Sequence, residues 1–217
     1  MKSLFINKGK THPDCIKAVK DAVDLCIKLG HEVEEASPKI DVEQFTKAFN
    51  LVVGGHTAAM LDRISKLKGI KITEDMVEPF TWRFAQVGWK NTAADFAGTK
   101  AIINSTTRSV AQFFTKYNAI LTPTLGTPPP KLGYLDTVKL SFDDVMQRLN
   151  EFMPFTPLFN MTGLPAMSVP LHWNDEGLPI GVQFAFPYAD ESTLYRLASQ
   201  LEAERPWKNN LPKMAQL

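Results

Sequence analysis

Hydrolysis or group transfer near neutral pH calls for a nucleophile beside a base, a metal held by several ligands, or a backbone cradle for phosphate. Few residues of this 217-residue chain are spaced for any of these. A nucleophilic serine favours a sharp, glycine-flanked turn, whereas Ser168 lies between Met167 and Val169 in a strand-like run and reads first as a strand residue. Gly9-Lys10-Thr11 matches the tail of a phosphate-binding loop, but Leu4 stands where that loop requires its first glycine. His12, His31, His56 and His172 have no ligand spacing with cysteine or carboxylate, so no metal and no cofactor are expected. Cys15 and Cys26 fall eleven positions apart in one helical pattern. At about 1.5 Å rise per residue they would sit roughly 16 Å apart, too far for a disulfide, and they read as small core residues. Glu34-Glu35 and Asp143-Asp144 read as solvated faces, and the sequons at Asn104 and Asn160 would matter only in a secreted chain.

The elements that could position a site are easier to read. Pro154 to Pro187 reads as a loop punctuated by Pro and Gly, then an apolar strand, a turn at Asn174-Asp175-Glu176-Gly177, and a returning strand. Upstream, Ser3–Asn7 reads as a strand. Thr11-His12-Pro13-Asp14 reads as a helix start capped by Thr11, with Ile16, Val19, Val23, Cys26 and Ile27 at helical spacing until Gly30. His31–Glu35 reads as a second strand, which would complete a parallel, right-handed βαβ unit. A helical stripe then runs through Phe45, Phe49, Val52, Met60, Ile64 and Leu67. The tandem Gly54-Gly55 inside it implies either a break or the close approach of another backbone.

Thr73 to Tyr117 is mostly helical, and its aromatics, including Phe84, Trp89 and Phe96, are expected in the core. Ala119–Thr122 is a short buried strand stopped at Pro123, and an internal joint of the chain falls near residues 123–131. Asp143–Phe152 is a helix, and Asp190 caps a last one with Leu194, Leu197 and Leu201 inward. The class is α/β, with a buried sheet.

Hydrophobic residues at 44% and charged residues at 22% are those of an ordinary soluble domain, so a sizeable core is within reach. A net charge of +1 without basic clusters leaves no footprint for nucleic acid. No apolar run reaches the roughly 18 residues of a membrane span, and Met1–Lys10 lacks a signal h-region. A cytoplasmic location with no membrane partner is expected.

The stretch from Pro154 to Pro187 resembles the C-terminal hairpin of the amidase signature family, whose enzymes hydrolyse amide bonds with a Ser-Ser-Lys triad. Three further segments resemble that family in its order. They are His12-Pro13-Asp14-Cys15 through Gly30-His31-Glu32-Val33, then Phe96–Arg108 with Tyr117–Leu125, and finally Asp190–Trp207. Together they run from about His12 to Trp207, and the wording of the hairpin most resembles amidases of the 6-aminohexanoate-cyclic-dimer hydrolase type.

The resemblance implies that the whole chain is the C-terminal portion of one amidase signature domain, an α/β fold of which it would hold part of a mixed, twisted β-sheet flanked by helices. The family's nucleophile, bridging serine and lysine belong to a Gly/Ser-rich segment and a strand N-terminal to the matching part, and no Gly-Gly-Ser-Ser run occurs here. No catalytic residue is therefore assigned, and the chain alone is expected to be inactive. The resemblance gives the segment before the hairpin a place along the substrate pocket, with Thr156, Phe159, Asn160, Thr162 and Gly163 as candidates; Asn160 and Thr162 could equally satisfy a kinked backbone. Met153 stands where glutamine-using relatives have an acidic residue, and a thioether cannot pair with an ammonium. The alternative is a non-catalytic binding or assembly module, a degenerate amidase. Either way a small-molecule amide is the expected ligand only together with the missing half, and a homo-oligomer is expected through an exposed sheet edge or face.

Overall fold

The computed structural model describes residues 11–208 and residue 210. The expected strand at Ser3–Asn7 lies outside them.

Helix α1 spans Pro13–Lys28, with Pro13 in the first turn. Its cap is His12, one residue beyond the expected Thr11: the imidazole Nδ1 accepts from the Asp14 N–H at 3.2 Å. Asp14 in the first turn and Lys28 in the last suit the helix dipole. The buried face is Cys15, Ala18, Val19, Ala22, Leu25 and Cys26. Ile27, expected inward, is 53% exposed. The face is centred instead on Ala18 and Ala22, whose small side chains are fully buried.

Residues 31–40 are extended but form no strand, and the βαβ unit is not seen among the described residues. All five residues of His31–Glu35 are exposed, and Val33 is their one apolar side chain. Such a segment has no face to bury, so side-chain contacts hold it instead: His31 Nε2 meets Gln200 Oε1 at 2.8 Å, and Glu34 accepts from Lys116 Nζ at 2.8 Å.

Helix α2, Val42–Lys68, starts at Asp41, whose carboxylate accepts from the Gln44 N–H at 3.1 Å, and stops at Gly69 in the left-handed conformation. It runs unbroken through Gly54-Gly55. A Cβ on Gly54 would sit 3.0 Å from the Phe84 carbonyl oxygen, so the glycines serve close approach rather than a break. Helices α3, Pro79–Lys90, and α4, Ala93–Phe113, are separated at Asn91-Thr92, where Thr92 and Asp95 form a capping box. Of the expected core aromatics Phe84 is buried, while Trp89 and Phe96 are each 42% exposed.

Strand β1 is Ile120–Pro123, and helix α5, Phe142–Phe152, is capped by Ser141. Helix α6, Thr156–Thr162, precedes the hairpin of β2, Ala166–Trp173, and β3, Pro179–Ala185. At the hairpin turn Gly177 has φ +76°, and the Asn174 side chain accepts from the Leu178 N–H at 2.9 Å. Helix α7, Glu191–Glu204, ends the described fold. No helix among the described residues is long and apolar enough to cross a membrane.

The sheet has the order β1-β3-β2 and is antiparallel throughout, with Ile120 opposite Ala185 and Val169 opposite Val182. The β2 register slips between Val169 and His172, where Pro170 has no N–H to donate. One face, formed by Val169, Leu171, Ile180, Val182 and Phe184, packs on α1 and on Leu194, Leu197 and Leu201 of α7. On the other face Ile120 and Ala185 join Phe45, Val110, Phe155, Leu158 and Phe159 in a second core. The architecture is α/β, with helices on both faces of a small sheet.

Candidate functional site

The segment expected as a pocket loop is a short helix, α6. Pro157 lies in its first turn and Gly163 stops it at φ +69°, donating its N–H to the Phe159 carbonyl at 3.0 Å. That helix divides the five candidate residues. Phe159 is buried in the second core, and buried Thr162 donates its hydroxyl to the Leu158 carbonyl at 2.7 Å. Thr156 is half-buried. Asn160 and Gly163 are exposed, and the Asn160 carboxamide, like the Thr156 hydroxyl, has no hydrogen-bond partner among the described residues. Thr156 and Asn160 are thus the candidates in α6 with a side-chain group left over for a ligand.

Next to the second core the sheet face turns polar. Gln183, buried in the central strand, donates from Nε2 to Thr122 Oγ1 of β1 at 3.2 Å, and its partner across the other ladder is Ser168 of β2. One step further along, the Ser168 and Thr124 hydroxyls lie 2.7 Å apart above Gly181. A Cβ on Gly181 would come within 2.7 Å of Ser168 Oγ and 2.8 Å of Thr124 Oγ1, so that pair requires glycine in the middle strand. Ser168 is exposed. Its described hydrogen-bond partner is another hydroxyl, neither imidazole, amine nor carboxylate, so the serine has no base here. Sequence reasoning passed over Thr122, Thr124 and Gln183. The signal was the alternation Thr122/Thr124 and Gly181/Gln183, which places polar residues on the face opposite Val182 and Phe184.

Other titratable groups hold the scaffold. Arg205, just beyond α7, grips the Asp21 carboxylate of α1 with two guanidinium nitrogens, at 2.7 and 3.1 Å, and also donates to the Leu171 carbonyl. His172 Nδ1 donates to the same carboxylate at 3.2 Å. Burial pushes the Asp21 carboxyl upward, but the hydrogen bonds and charges of Arg205 and His172 outweigh it and hold the group below the ordinary aspartate range. Cys15 and Cys26 are unbridged and buried. Burial, with the nearby Asp14 charge, pushes the Cys15 thiol up to about 12, and burial alone pushes Cys26 to about 11. Both stay protonated and unreactive at neutral pH. Among the described residues no three His, Cys, Asp or Glu side chains group as a metal site.

A sequence model of the Amidase family matches residues 4–195. The chain belongs to the amidase family. AmiC of Mycobacterium leprae (strain TN) is 32% identical over 198 residues, covering 90% of this chain and 41% of its own length. The 6-aminohexanoate-cyclic-dimer hydrolase of Paenarthrobacter ureafaciens is 28% identical over 211 residues, 93% of this chain and 42% of the hydrolase. A solved structure of 6-aminohexanoate cyclic dimer hydrolase superposes with a TM-score of 0.78 at 26% identity, covering 93% of this chain and 43% of that one. This amidase-family chain therefore spans about two-fifths of the length of the relatives it matches.

Proposed function

We propose that this chain is the C-terminal portion of an amidase that hydrolyses carboxylic amide bonds. In this reading it forms scaffold and one wall of the substrate pocket, while the nucleophile, base and oxyanion donors come from sequence outside it. The observation that carries the proposal is the match to an amide-hydrolase fold over 93% of this chain but only 43% of the solved hydrolase, in a chain with no Gly-Gly-Ser-Ser run. Ser168, the serine weighed as a nucleophile, has a hydroxyl neighbour and no base among the described residues. A resonance-stabilised amide resists attack unless nucleophile, base and oxyanion donors converge on it, so the chain by itself is inactive. Thr156, Asn160 and Gly163 supply the solvent-facing surface of the pocket wall, and Phe159 and Thr162 hold it in shape. The substrate is a small linear amide, no cofactor takes part, and the setting is cytoplasmic.

The test is hydrolysis of simple aryl amides by the purified, folded chain. The expected result is no release of amine above buffer. Turnover that disappears in Ser168→Ala would overturn the proposal, because it would place the nucleophile within this chain.

A further inference from the structure

The two faces of one three-stranded sheet are built differently. Towards α1 and α7 its centre is apolar, Val169, Leu171, Ile180, Val182 and Phe184, with His172 at one end bonded to Asp21 of α1. Towards the other side a buried glutamine, two threonines and an exposed serine follow one another across the strands. Burying an amide side chain costs free energy that an apolar residue would avoid, so a central-strand glutamine is poorly explained as packing. Its neighbours do not consume its hydrogen-bonding capacity either. A carboxamide has two donors and an acceptor with two lone pairs, and among the described residues the Gln183 side chain makes one bond, from Nε2 to Thr122 Oγ1. The Ser168–Thr124 pair shares one hydroxyl hydrogen between its oxygens, which leaves the second hydrogen and the spare lone pairs without a side-chain partner among the described residues. Gly181 keeps the floor beneath that pair free of a side chain. Donors and acceptors of both kinds thus lie side by side, without formal charge, on rigid backbone.

We propose that Gln183, Ser168 and Thr124 form a recognition site for the carboxamide group of a small amide. The amide oxygen would accept from a hydroxyl or from Gln183 Nε2, and its N–H would donate to Gln183 Oε1 or to a hydroxyl oxygen. The site's neutrality matches a neutral amide and gives a carboxylate no cation to pair with. This proposal rests on the amidase reading and adds the sheet face to the pocket wall that α6 supplies.

The experiment is a titration of the isotopically labelled chain with benzamide, followed by the Gln183 side-chain NH₂ and the Ser168 and Gly181 backbone resonances. Benzoate serves as the control ligand. Saturable shifts of these resonances with benzamide, and at least tenfold weaker ones with benzoate, are expected. Ser168→Ala changes an exposed residue and should leave the spectrum folded while weakening benzamide by about fivefold, the loss of one modest hydrogen bond. No saturable shift up to the solubility of benzamide, equal response to benzoate, or unchanged affinity in Ser168→Ala each overturns the site. The readout is binding, so it can fail while the chain's inactivity towards amides stands, and it can succeed if that inactivity proves wrong.

Discussion

One carboxylate, Asp21, holds α1 to β2 through His172 and to the chain after α7 through Arg205. Exposed ion pairs contribute little. This one is partly buried and bidentate, and Arg205 also satisfies the Leu171 carbonyl beside the β2 bulge. The Asp21 carboxyl is held below its ordinary range in the folded chain. Its contribution is therefore complete above the unfolded-state value of about 4 and is lost as pH falls through the lower folded-state value. Asp21→Asn keeps the shape and removes the charge, and it should cost about 1–2 kcal/mol at pH 7. Urea unfolding at pH 7 and pH 3 checks this. The wild-type chain should lose more stability between those pH values than Asp21→Asn does, and parallel losses would show that the cluster is not what makes Asp21 acidic.

At the scale of elements, the crossing of α2 and α3 depends on a pair of glycines. A Cβ on Gly88 would overlap the Gly54 carbonyl and come within 2.7 Å of the Ala58 Cβ, both fixed in a helix. Gly88→Ala should therefore push the helices apart at a cost of about 1–3 kcal/mol. Gly98 of α4 has nothing within 4 Å of the same added atom, so Gly98→Ala should stabilise by about 0.5–1 kcal/mol through helix propensity. Thermal unfolding of the two variants should shift in opposite directions.

The tandem glycine was legible in the sequence as a choice between break and approach, and the α3 backbone at Phe84 and Gly88, pressed against Gly54, decides for approach. The hairpin and β1 were equally legible, since proline, glycine and apolar runs mark them locally. Three features were not. The buried face of α1 was hidden because Ala18 and Ala22 carry little hydrophobic signal. Helix α6 is only seven residues long, too short for periodicity to separate from a loop. The ladder expected at His31–Glu35 depends on a neighbouring strand, which no local pattern can supply. The polar row on the sheet was missed for a related reason: Thr122, Ser168 and Gln183 meet only through strand pairing.

For the whole molecule, the decisive feature is that β3 alone of the three strands is paired on both sides. β1 and β2 each present an outer row of N–H and C=O groups with no strand partner among the described residues. The bulge at Pro170 blunts one of these edges, whereas β1 runs straight to Pro123. On the helical side Met60, Trp89 and Phe96 of α2, α3 and α4 are exposed large apolar side chains. A chain that matches two-fifths of its relatives' length and exposes such surfaces should associate with itself in the absence of a covering segment. Light scattering on a size-exclusion column should give a mass of at least twice the 24.3 kDa of the chain, and a monomer at high concentration would refute this. Replacing Trp89 and Phe96 together with lysine then locates the contact. Restored monomers would assign it to the helical face, and persistent association would assign it to the sheet edge, where backbone hydrogen bonding does not depend on those side chains.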